Sequence, residues 1–202
     1  MASEKKYIHI RQVPRKGAKK IRIGLLSDTH MAYGPHELLP RIKDVFIGVD
    51  LILHGGDVNS VFVLDELETI APVLAAAGNS DMALRDSRVK DKHILSLEGF
   101  VLWLCHVFPF PDLYHYLEAI RRTSGEQDKS FDTLLDKVTK DNPSAPDIII
   151  FGHTHKVLLY QHHRLLLINP GSPVFPNQRQ MPGTVATLSL SPGKVETEFI
   201  QL

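Results

Sequence analysis

The 202 residues suffice for one domain with a sizeable core, and a composition of 43% hydrophobic and 23% charged residues is that of a soluble globular protein. A single cysteine, Cys105, excludes an internal disulfide framework, and no apolar stretch is long enough to cross a bilayer. The formal net charge of zero conceals an imbalance, because residues 1–22 hold eight Lys/Arg against one acid and the remainder holds 15 bases against 22 acids. The N-terminal stretch also lacks the apolar core of a secretory signal, so a cytoplasmic protein is expected.

In chain order, residues 1–20 read as a basic N-terminal extension and residues 21–202 as the domain. The extension carries charge suited to nucleic acid or an anionic surface. Sparse aromatic residues favour a solvated arm instead, with YIHI as an edge strand before a turn at Pro14. A strand is expected over 21–27, then a helix over about 36–47 despite Pro40, and a strand over 50–53. SVFVLDELETI suits a helix with Ser60 as N-cap. A strand over 72–76 leads into Gly78-Asn79. HILSL and FVLWL flank Glu98-Gly99 at hairpin spacing. Residues 112–122 and 130–140 read as helices split by TSGEQDKS. DIIIF is a strand, VLLYQHHRLLLIN a second hairpin, and TVATLSLSPGKVETEFI a third turning at Pro192-Gly193. The alternating first half and hairpin-rich second half fit an α/β fold, an αββα sandwich of two mixed sheets flanked by helices.

Five of the apolar runs stop at residues that bind hard or borderline metal ions. IRIGLLS ends at Asp28 with His30 following, LILHGG at Asp57, PVLAAAG at Asn79, FVLWLC at His106, and IIIFG at His153 with His155 following. Open α/β sheets gather ligands at the carboxyl ends of their strands, so these seven side chains are expected on one rim. Seven is too many for one zinc and suits two ions sharing a carboxylate. In extended backbone residues i and i+2 point the same way, which would let Asp28 and His30, or His153 and His155, grip one ion. Asp57, after two glycines, has the two oxygens a bridge requires. Each piece has an ordinary alternative: Asp57 as a turn acid, Gly-Asn-Ser-Asp as a simple turn, His106 as a structural histidine. Their order along one chain predicts chemistry on phosphate.

Asp28-x-His30, Gly56-Asp57, Gly78-Asn79, His106 and Gly152-His153-x-His155 resemble the ordered motifs of the calcineurin-like metallophosphoesterase superfamily. The short chain and Asn169-Pro170-Gly171-Ser172 resemble its small bacterial and archaeal phosphodiesterase branch, which shares its fold with the eukaryotic retromer subunit. The resemblance implies one ion held by Asp28, His30 and His155, another by Asn79, His106 and His153, and Asp57 bridging. It implies catalysis by Asp57 and Asn79 with a metal-bridging hydroxide, substrate contacts from Asn79, Ser80 and Arg179, and a homodimer. Relatives have histidine or cysteine where this chain has Ser80, arginine where it has Ala77, and glycine where it has Val107.

His54 is expected either to orient a ligand from behind or to be a satisfied core histidine. His36, His93, His115, His162 and His163 read as structural or solvated, and the segment around Phe108 and Phe110 as a lid or exposed interface. The favoured function is a dinuclear metal-dependent phosphodiesterase acting on a phosphate-ester small molecule or nucleotide. The alternatives are a non-catalytic scaffold and a phosphomonoesterase or nucleotidase. Two divalent ions are implied: Mn from the resemblance, with Fe, Co, Ni or Zn also compatible with histidine, carboxylate and amide ligands.

Overall fold

The strands that feed the rim are predominantly apolar on both faces, and the architecture explains why. A computed structural model describes residues 5–9, 20–31, 40–110, 129–139, 145–174 and 183–202. Twelve described strands form two sheets. The first has seven strands in the order β1-β12-β11-β2-β3-β4-β5, comprising β1 (Lys5–His9), β2 (Ile21–Leu26), β3 (Leu51–His54), β4 (Val73–Ala76), β5 (Val89–Lys90), β11 (Thr184–Ser191) and β12 (Lys194–Gln201). The second has five in the order β6-β7-β8-β10-β9, comprising β6 (Lys92–Leu97), β7 (Phe100–Cys105), β8 (Ile148–Ile150), β9 (Val157–His162) and β10 (Leu165–Pro170).

The two sheets bury one face against each other. Ile23, Leu25, Leu53, Leu188 and Leu190 of the first meet Phe100, Leu102, Leu104, Ile148, Ile150 and Ile168 of the second. The alternate residues face outward under helices. Leu26, Ile52 and Val73 pack against α1 (Pro40–Phe46) and α2 (Val61–Glu68), while Ile149, Phe151 and Leu167 pack against α3 (Lys129–Thr139). With side chains alternating along a strand, burial on both faces demands a continuous apolar run. The result is the expected αββα sandwich.

Local chemistry sets the element ends. Pro40 opens α1, where a missing N–H costs nothing, and Gly48 at φ +75 follows its end. The Ser60 hydroxyl accepts from Phe62 N–H at 3.3 Å and caps α2. Glu98 and Gly99 both have positive φ, +48 and +87, as a two-residue hairpin turn between β6 and β7 requires. The edge strand expected from YIHI is Lys5–His9, antiparallel to β12. Pro14, residues 36–39 and the helix expected over 112–122 lie outside the described residues.

Strands β2, β3 and β4 run parallel, as do β7 and β8. Their carboxyl ends therefore deliver Asp28, Asp57, Asn79, His106 and His153 to one rim. Phe46 of α1 lies flat beneath β2, and a Cβ at Gly24 would stand only 3.0 Å from its ring. Because Phe46 is fully buried, Phe46→Ala should cost about 3–5 kcal/mol in urea denaturation, and a loss under about 1 kcal/mol would show that α1 does not anchor β2.

Candidate metal centre

The β2–β3 ladder continues past the strands into the ligand turns. Gly55 N–H donates to Leu26 O at 2.8 Å, Asp28 N–H to Gly56 O at 2.9 Å, and His30 N–H to Asp57 O at 2.9 Å. These turns are not extended. Asp28, His30, Asp57, His153 and His155 have φ of +56, +47, +56, +68 and +57. The expectation that i and i+2 residues share a face through extended backbone is corrected here. The two pairs converge through left-handed kinks, which Asp, Asn and His tolerate better than most residues.

Two groups of donor atoms result. Asp28, His30, Asp57 and His155 each offer one ligand atom, all within 4.8 Å of one another. His30 Nε2 is 3.1 Å from His155 Nε2, and His155 Nε2 is 3.4 Å from Asp28 Oδ1. In the second group, Asn79 Oδ1 lies 2.9 Å from His106 Nε2 and 3.0 Å from His153 Nδ1. Asp57 Oδ2 belongs to both, at 3.5 Å from His30 Nε2 and 3.5 Å from His106 Nε2. Ligands at about 2.0–2.2 Å from an ion stand about 3.0 Å apart in an octahedron and about 3.4 Å apart in a tetrahedron. The observed separations match, so these residues fit divalent ions.

Hydrogen bonds behind the donor atoms fix their direction. His106 Nδ1 donates to Gly55 O at 2.7 Å, which leaves Nε2 as the atom available to an ion. Ser80 N–H donates to Asp57 Oδ1 at 2.8 Å and turns Oδ2 toward the imidazoles. Asp28, wholly buried, accepts from Ser27 Oγ at 2.5 Å and from His153 N–H at 3.1 Å to both oxygens. Gly152 and Gly78 permit these approaches, since a Cβ would collide with Ser27 Oγ at the first and with Asp57 at the second.

Electrostatics follow from burial and neighbours. Burial raises the Asp28 pKa to about 6, against hydrogen bonding from Ser27. Burial opposes the charge of Asp57 too, but hydrogen bonds from His106 and Ser80 win and hold its pKa below the usual carboxylate range. Burial and the neighbouring imidazoles His106 and His30 lower His153 and His155 respectively, which favours the neutral, ligating form. For His106, burial is outweighed by Asp57, Gly55 O and Asp28, and its pKa rises.

His54 directs its hydrogen bonds to Thr29 and Gly56 rather than to the seven side chains of the rim. Its Nδ1 accepts from Gly56 N–H at 3.1 Å and its Nε2 lies 3.2 Å from Thr29 Oγ1, so it joins the Asp28 and Asp57 turns through their backbone. Burial lowers its pKa to about 3 and keeps it neutral. Sequence reasoning missed Asp81, which accepts from Gly78, Val58 and Asn59 N–H groups and ties the Asn79 turn to the Asp57 turn. The available signal was an acid two residues after Asn79. Asn169 Nδ2 donates to Gly152 O at 2.8 Å, and Ser172 Oγ to Asp28 O at 2.8 Å, so the Asn-Pro-Gly-Ser segment braces both ends of the rim.

Phe108 is buried against Phe151 at 5.3 Å between centroids, which overturns its reading as part of a lid or an exposed interface. Val107 is the exposed residue of that loop, and it borders a cleft of about 620 Å³ shared with Asn79, Met82, Arg85, Lys90 and His106. His93 is structural, with Nε2 2.9 Å from Ala75 O. Arg179, His36 and His115 lie outside the described residues.

Comparison with known proteins gives a consistent picture. The family model of the calcineurin-like phosphoesterase superfamily domain matches residues 21–193. A probable metallophosphoesterase of Methanothermobacter thermautotrophicus is 31% identical over 179 residues, spanning 89% of this chain and 91% of its own. A phosphodiesterase of Methanocaldococcus jannaschii is 28% identical over 164 residues, spanning 75% of this chain and 83% of its own. The structure of vacuolar protein sorting 29 from Cryptosporidium parvum superimposes with a TM-score of 0.66 at 20% identity, covering 91% of this chain and 92% of that one.

The folded state binds the Asp28 proton more tightly than the unfolded chain does. That stabilising contribution is complete below pH 3.8 and is lost as pH rises through about 6. Chelator-treated Asp28→Asn should therefore exceed chelator-treated wild type in stability near neutral pH, by up to about 3 kcal/mol, with the gap closing toward about pH 4. Added divalent ion should reverse the order in urea denaturation, and a metal-free variant no more stable than wild type would contradict the electrostatic account.

Proposed function

The chain belongs to the calcineurin-like phosphoesterase superfamily, and from that premise we propose that it is a dinuclear metal-dependent phosphodiesterase. One observation carries the reading: a single oxygen, Asp57 Oδ2, faces an imidazole of each donor group at 3.5 Å. Asp28, His30 and His155 would hold one ion, Asn79, His106 and His153 the other, with Asp57 between. The donor chemistry suits Mn, Fe, Co, Ni or Zn alike, and the preference for Mn rests on the family resemblance. Two such ions would supply Lewis acidity, for water deprotonation near neutral pH and for neutralising phosphoryl charge.

The chain's own groups then position the ester. Asn79 presents a neutral amide, which keeps negative charge down where an anionic substrate must enter and offers N–H donors to a phosphoryl oxygen. The adjoining cleft combines the cations Arg85 and Lys90 with the exposed apolar side chains Met82 and Val107. That lining suits a phosphate carrying an apolar or aromatic group, as in a diester or a nucleotide. Ser80 donates its hydroxyl to Asn59 Oδ1 at 2.8 Å and is a poor proton source for a leaving group. The reading therefore favours esters whose leaving group departs without protonation.

A scaffold reading is favoured by the likeness to vacuolar protein sorting 29 and by Ser80. Catalysis separates the two. Metal-stripped protein given Mn²⁺ should hydrolyse bis(p-nitrophenyl) phosphate faster than p-nitrophenyl phosphate and act poorly on alkyl esters. Ser80→His should narrow the aryl-to-alkyl gap, by up to roughly 10²-fold. Absence of turnover with every divalent ion, in protein that binds metal, would favour the scaffold.

A further inference from the structure

The second sheet has another cluster of ligating side chains, at its other end. In the β9–β10 hairpin Val157 pairs with Pro170 near the rim, whereas His162 pairs with Leu165, five residues along β9 and so about 17 Å away. There His162 Nε2 lies 2.8 Å from Asp136 Oδ1, and His163 Nε2 lies 3.4 Å from the same oxygen. All three ligand atoms fall within 4.8 Å of one another.

Adjacent strand residues ordinarily point to opposite faces. His163 escapes this because it stands at φ +50, which brings its ring to 4.3 Å from that of His162. The other nitrogen of His162, Nδ1, is 2.9 Å from Asp132 Oδ1, and that oxygen also accepts from Tyr160 OH at 2.6 Å. A carboxylate on the far nitrogen is what metal-ligating histidines use to fix their tautomer. His162 is buried, while the His163 side chain is 75% exposed and Asp136 half open, so water has access to complete a coordination sphere.

We propose that Asp136, His162 and His163 form a separate site for a borderline divalent ion such as Zn²⁺, with Asp132 positioning His162. An ion there would join the tip of the β9–β10 hairpin to α3, the helix that covers the outer face of the second sheet.

Equilibrium dialysis of the full chain against micromolar free Zn²⁺ tests this by difference, so the occupancy of the rim cancels. His163→Asn keeps a residue tolerant of the left-handed conformation and removes the imidazole. Asp136→Asn removes the shared carboxylate from a half-open helix position. Wild type should hold one more zinc per chain than either variant, with circular dichroism confirming that all three are folded. Asp132→Asn should weaken that extra zinc about 10–100-fold. Equal zinc content in wild type and both variants would overturn the proposal and leave His162 as a structural histidine held between Asp132 and Asp136.

Discussion

Two carboxylates, Asp28 and Asp57, are almost wholly removed from water within a few ångströms of four imidazoles, and much of the rim exists to make that tolerable. Burying an ionised carboxylate without partners is expensive, and a protein has three remedies: protonation, hydrogen bonding or a cation. Asp57 uses hydrogen bonds and stays anionic. Asp28, wholly buried, is pushed toward protonation near pH 6 despite its hydrogen bonds. A site that holds one carboxylate ready and the other under electrostatic tension is suited to receive positive charge. The second carboxylate gains most from its arrival.

The same rim concentrates backbone strain. Five of the seven donor residues are left-handed, a conformation costing roughly 1–2 kcal/mol each for ordinary residues and somewhat less for Asp and Asn. Such turns persist only if their surroundings over-determine them. Here the braces come from four separate places: His54 and Thr29 between the first two turns, Asp81 beneath Asn79, Asn169 behind Gly152, and Ser172 on Asp28 O. None of these donates an atom to the proposed ions. They convert loose strand ends into a preorganised donor set, which lowers the cost of ordering it on binding.

The sandwich, and the gathering of the seven side chains on one rim, were legible because both rest on strong, local signals. Runs such as IRIGLLS and IIIFG must be strands buried on two faces, and a polar residue at the end of each has few places to go except the rim. What escaped has a common cause. Asp81, Asn169 and Ser172 act mostly through backbone groups far away in sequence, and no spacing rule encodes a partner 17 to 144 residues distant. The left-handed kinks were hidden as well, since Asp28-Thr29-His30 suits an extended reading equally. Phe108 was misplaced because hydrophobicity alone does not separate a lid from a plug, and only its ring contact with Phe151 does.

Whether Asp57 joins two ions is the claim on which the functional account stands. Anomalous diffraction from crystals of the Mn²⁺-loaded protein tests it directly. The account predicts two Mn peaks about 3.5–4 Å apart with the Asp57 carboxylate between them. A single peak among Asp28, His30, Asp57 and His155, with Asn79, His106 and His153 unliganded at saturating metal, would contradict it.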